Sequence, residues 1–159
     1  MKISEHASLH EVTYNAGYVR DGLDNTPTAE HVQQMRITAN AIFEHVREFA
    51  GVPLSISMYR SLEVEKARGR SGTSQHCKGE AMDINGKGKF PNSKIFQFIK
   101  ENLVFDQMIC EYPVDGEPAW VHVSYVTGNN RGEMLTCTRR PNGAALYTKY
   151  KKGDCNEME

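Results

Sequence analysis

The opening segment of this chain, MKISEHASLHEV, has no apolar run long enough for a secretory leader or a transmembrane helix. That sets the expectation of a protein made in the cytoplasm and not inserted into a membrane. A charge excess is missing too, since 19 basic and 20 acidic residues leave a formal net charge of −1. Such a balance gives no electrostatic basis for binding nucleic acid or an anionic membrane surface. There are no repeats and no low-complexity linker, and 159 residues suit one domain with a respectable core. Cysteine is scarce and unpatterned. Cys77, Cys110, Cys137 and Cys155 form no C-x-x-C pair, and their spacing suits neither a zinc ribbon nor a disulfide framework. Four free reduced thiols are therefore expected.

Periodicity organises what is present. GLDNTPTAEHVQQMRITANAIFEHVREFAGVP reads as one helix, with Thr26 as cap, Pro27 at the first helical position, and Gly51 and Pro53 ending it. Val32, Met35, Ala39, Ile42, Val46 and Phe49 recur at three- and four-residue steps and predict one buried stripe. PLSISMY alternates as a half-buried strand, and a short helix over about Leu62–Ala67 follows, then a glycine-bearing loop. EAMDI is a short strand. NSKIFQFIKENL is a second helix, with Asn92 or Ser93 as cap, and FDQMICEY and AWVHVSY are strands joined by the turn-rich PVDGEP. GEMLTC adds a further strand, and the polar tail over 148–159 is expected to fray from a single domain spanning 1–147. Helices lead and strands follow, which predicts an α+β fold with helices packed on one face of a small antiparallel sheet.

Side-chain direction singles out three residues. In EAMDI a period of two puts Met82 and Ile84 on the core face and Asp83 on the other, beside the small Ala81. Gly79 lets the preceding loop turn back and bring His76 over that same face. In AWVHVSY, Val121 and Val123 claim the core, so His122 faces as Asp83 does. A histidine on a strand is more often structural than a ligand, and an isolated H-x6-D is more often surface polarity. Together, however, two imidazoles and one carboxylate, with a fourth position left for water, make a catalytic metal site. These ligands suit zinc first, and iron and manganese as well.

Ser-x-His-x-x-Gly-x-Ala-x-Asp followed by Trp-x-His, here SQHCKGEAMD and WVH, resembles the zinc D-Ala-D-Ala carboxypeptidase family of murein peptidases. The likeness is to its small phage- and prophage-associated branch. It extends over GLDNTPT, SMYRSLEV, FDQMICEY and WVHVSY, hence over most of the chain. The resemblance implies a zinc peptidase acting on peptide stems of bacterial peptidoglycan, with His76, Asp83 and His122 as ligands, and a monomer. It would reach the wall after release, as an endolysin, or as part of a virion. The fold it implies is shared by the hedgehog signalling domain, so a metal-stabilised binding module is the alternative.

The remaining roles are assigned by type and position. Arg60 matches the family arginine that binds substrate near the metal, where its planar donors meet both oxygens of a carboxylate; the plain alternative is an ion pair with Glu63. Ser74 and Gln75 share the His76 loop and offer hydrogen bonds to substrate. Trp120 shares the face of His122 and offers a packing surface. Many relatives carry Glu or Asp three residues before the second histidine, but here that position is Ala119. Glu111 is the expected base, because strand parity sets it opposite Met108 and Cys110. Glu117, in the turn, is the reserve.

Overall fold

The computed structural model describes residues 1–156. A ribbon of β1 (Lys2–Ser4) and β2 (Ala7–Ser8) leads into α1 (Leu9–Thr13) and α2 (Ala16–Arg20). A long helical run follows: α3 (Ala29–Thr38), a π-helical turn (Ala39–Phe43) and α4 (Glu44–Ala50). Then come β3 (Ser55–Ser57), α5 (Leu62–Ala67), a 3-10 turn (Gln75–Lys78), β4 (Ala81–Asn85) and α6 (Asn92–Asn102). The chain finishes with β5 (Gln107–Glu111), β6 (Trp120–Ser124), β7 (Glu133–Arg139) and β8 (Ala145–Lys149). Among the described residues no helix is long and apolar enough to cross a membrane.

The main sheet has the order β3-β4-β6-β5-β7-β8, with helices packed against one face. It is an α+β fold, as expected, but the sheet is mixed, because β5 and β7 pair in parallel. After β6 the chain crosses the start of β5 before β7 begins. Asp106 fastens that crossing, its two carboxylate oxygens accepting from the Arg131 guanidinium at 3.1 and 2.8 Å. Burial segregates cleanly. Ile56, Met82, Ile84, Met108, Val121 and Val123 face Met35, Ile42, Phe43 and Val46 of the helical run and Ile95, Phe96 and Ile99 of α6. Each such side chain is worth about 1.5–3 kcal/mol removed from water, so the helix–sheet seam holds the domain.

Several expectations change. Thr28, not Thr26, caps the long helix, its Oγ1 accepting from the His31 amide at 3.2 Å. The predicted stripe stays buried through the π turn as far as Val46, but Phe49 is 46 % exposed and stacks on Phe98, with ring centres 4.3 Å apart, rather than entering the core. Neither Asn92 nor Ser93 caps α6; the carboxylate of Glu117, distant in sequence, accepts from both their backbone amides. The four thiols are not all free: Cys110 and Cys155 form a disulfide, while Cys77 and Cys137 are free and buried.

The tail is not frayed over its described part. β8 pairs antiparallel with β7, Tyr150 packs on Phe96 with ring centres 5.0 Å apart, and Thr136 donates to the Asp154 carboxylate at 2.7 Å. Cys110 and Thr136 point to the core side, so residues 150–155 close over the back of the sheet and leave its front open. Residues 157–159 of the predicted tail lie outside the described part.

Candidate metal centre

Register assembles the site on the open face. Asp83 of β4 sits directly opposite His122 of β6, and Trp120, two residues away on the same face, sits opposite Glu111 of β5. A period of two makes this a consequence of where the valines and methionines had to go. His76 arrives from the 3-10 turn. Ser74 caps that turn by accepting from the His76 amide at 3.3 Å, and Gly79 ends it with φ +75. A side chain at Gly79 would place its Cβ 2.7 Å from the His31 carbonyl oxygen, so glycine is what allows the turn to lie flat beneath α3. The carbonyl of Met58 accepts from His76 Nδ1 at 2.6 Å. Nδ1 therefore carries the proton and leaves the Nε2 lone pair facing Asp83, the arrangement that orients a metal-binding imidazole.

His76 Nε2 lies 3.5 Å and His122 Nδ1 lies 3.1 Å from Asp83 Oδ1. One ligand atom from each residue falls within 4.8 Å of the others. Tetrahedral bonds of about 2.0–2.2 Å space their ligand atoms about 3.3–3.6 Å apart, so the cluster fits a zinc ion in both size and donor type. Asp83 lies at the floor of the cleft, ringed by protein yet 31 % exposed through its mouth. Burial pushes its carboxyl up, but the His76 and His122 rings outweigh that and hold it well below the usual carboxylate range. An ionised aspartate is the form a metal takes.

The cleft around this cluster has a volume of about 790 Å³. Glu111 lines it, only 6 % exposed. Burial pushes the Glu111 carboxyl up, against a downward pull from the His122 ring and with a further push from Asp83. Glu117 does not line the cleft, being occupied at the N-terminus of α6. Arg60 lines it, with its Nε 2.6 Å from the buried Glu65 carboxylate. Its expected alternative partner, Glu63, instead accepts from the Asp24 amide. One terminal nitrogen of Arg60 donates to Ser74 Oγ at 3.4 Å. Gln75 donates to Asp106 at 2.9 Å, tying the His76 turn to the β6–β7 crossing. Ser74 and Gln75 thus hold protein groups as well as lining the cleft. Trp120 is half-buried, its ring 5.5 Å from Tyr112.

Several lining residues went unread in the sequence, namely Arg70, Tyr112, Arg131, Arg139 and Tyr147. Tyr112 adopts φ +48, a left-handed conformation costing a bulky residue about 1–3 kcal/mol, and no sequence signal marks it. Tyr147 comes from β8, part of which was taken for tail.

Two imidazoles and a carboxylate converging on one point of a sheet, with a buried glutamate in the same cleft, have the form of a mononuclear metallopeptidase centre. The family follows from the chain as a whole. Residues 5–124 match the family described as Peptidase M15, and the chain belongs to that family of zinc-dependent peptidases. No curated protein matches it.

Proposed function

We propose that this chain is a zinc peptidase that cleaves peptide stems or cross-links of bacterial peptidoglycan. The observation carrying this is Glu111, a buried carboxylate with no ion pair among the described residues, in the same cleft as His76, Asp83 and His122. A module that only bound the wall would gain nothing from keeping that carboxylate desolvated. His76, Asp83 and His122 hold the ion. Bound zinc acidifies a water and polarises the scissile carbonyl. Glu111 accepts a proton at its carboxylate and returns it to the leaving nitrogen, a role suited to a group whose affinity for protons is raised. Glu65 fixes one edge of Arg60, and the donors left over serve a substrate carboxylate.

The cleft volume suits several residues of an extended peptide. A monomer made in the cytoplasm and released at lysis, as a phage endolysin is, fits this reading. The test is mass spectrometry of purified muropeptides after incubation with zinc-loaded protein. Loss of a single D-Ala marks a carboxypeptidase, and separation of cross-linked dimers marks an endopeptidase. Intact muropeptides with wild-type protein would leave the binding module as the correct reading.

A further inference from the structure

The cleft continues past the metal cluster. Its far half is built by β5, β7 and β8, and the last two lie beyond residue 124, where the family match ends. Glu111 pairs with Cys137, and Cys137 with Tyr147, so Tyr147 shares the face of the metal cluster. Arg139, two residues along β7, faces the same way. The centre of its guanidinium lies 4.4 Å from the centre of the Tyr112 ring, and it donates to the Gly143 carbonyl at 3.2 Å. Tyr112, in its left-handed conformation, also meets Trp120, with ring centres 5.5 Å apart. Two aromatic rings therefore lead from the metal strand β6 to the Arg139 guanidinium. Arg60 and Arg131 have their charges answered by Glu65 and Asp106, whereas Arg139 has no ion pair among the described residues.

We propose that Arg139, backed by Tyr112 and flanked by Tyr147, is a subsite for a carboxylate on the substrate peptide, remote from the scissile bond. This rests on the peptidase reading above. A guanidinium preorganised on a ring keeps an edge free for both oxygens of a carboxylate. Burial first, and Glu111 next, push the Tyr147 hydroxyl up to about 12, so it stays neutral on the face it shares with Arg139. Two strand spacings and four residues of rise put Arg139 Cα about 16 Å from that of His122. Allowing for the reach of the arginine, the recognised carboxylate lies about two to four residues from the bond that is cut. The glutamate carboxyl of a wall stem peptide is a group of that kind.

The probes are two stem pentapeptides differing only in whether the glutamate carboxyl is free or amidated. Binding is read by stopped-flow fluorescence of Trp120, the sole tryptophan, which reports before turnover, and cleavage by kcat/KM. Wild type should prefer the free carboxylate by about tenfold or more in Kd, and the preference should shrink with added salt. Arg139→Gln should bring the ratio close to one, while Arg139→Lys, charged but without the planar fork, should keep part of it. No preference in wild type, or a preference unchanged in Arg139→Gln, overturns the subsite. If Arg139→Gln does not fold, Arg139→Lys with an unchanged ratio overturns it equally. A Kd preference with no cleavage of either peptide, or of a cross-linked dimer carrying the same stem, leaves the subsite standing and removes the peptidase reading. Cleavage with no preference does the reverse.

Discussion

Glu111 and Glu117 are six residues apart and should fail in opposite ways when changed. Glu117 caps α6 from across the turn, accepting from the Asn92 and Ser93 amides at a helix end whose own side chains supply no cap. That helix buries Ile95, Phe96 and Ile99 completely, so fraying of its first turn loosens core contacts. Glu117→Ala should cost about 1–2 kcal/mol, the usual worth of a cap. For a chain of this size that is a fall of about 2–8 °C in melting temperature. Cleavage per folded molecule should hold.

Glu111→Gln should instead lower kcat by about 10²–10⁴-fold with zinc retained. Its stability effect depends on pH in a definite direction. The fold raises the Glu111 pKa above its ordinary 4.5, so it favours the protonated form. In the metal-free protein the burden of the buried charge is absent below about pH 4.5 and grows as pH rises through the raised value. Chelated Glu111→Gln should therefore melt with wild type at pH 4 and above it at pH 7, a gap that zinc narrows by offsetting the charge. Thermal melts at both pH values, muropeptide cleavage and metal analysis read all three effects. Glu117→Ala inactive at unchanged melting temperature and zinc content, or Glu111→Gln cleaving at the wild-type rate, would refute the assignment.

Zinc should bind at about one ion per chain, and His122→Ala should weaken it strongly, as measured by equilibrium dialysis; full occupancy in a His76→Ala, His122→Ala double variant would remove the site. Chelation should abolish cleavage and lower the melting temperature without unfolding the protein, because the helix–sheet core does not pass through the ligands, and far-UV circular dichroism reads this. Arg131 first, together with Gln75, holds the Asp106 carboxyl down at about 2. Its contribution to stability is thus present above pH 3.8 and should disappear as pH falls from there towards 2, and Asp106→Asn should lower stability at pH 7 by about 1–3 kcal/mol in urea titrations. Cys155→Ser opens a disulfide between residues 45 apart and should cost up to about 4 kcal/mol, with dithiothreitol lowering the wild-type melting temperature by a matching amount.

Much of the site was legible because strand parity is local. Met82 and Ile84 commit Asp83 to the front of the sheet, Val121 and Val123 commit His122, and Met108 and Cys110 commit Glu111. The α5 boundaries, Leu62–Ala67, were equally legible from pattern. Pattern misled where a partner came from far along the chain. Glu117 read as a reserve base in the turn because nothing near it in sequence reveals that its carboxylate reaches the start of α6. Arg60 was offered Glu63, in the first turn of α5, but the helix turns Glu65 inward instead.

The sequence by itself determined the α+β class, from the order of its elements, and the facing of Asp83, His122 and Glu111, from alternation within a few residues. Tertiary structure alone decided that β7 runs parallel to β5, that Cys155 returns to Cys110 across the back of the sheet, and that Arg139 and Tyr147 extend the cleft beyond the metal. Periodicity assigns a side chain to a face. Which strands become neighbours, and which distant segments close over them, depends on how the whole apolar surface is covered at once.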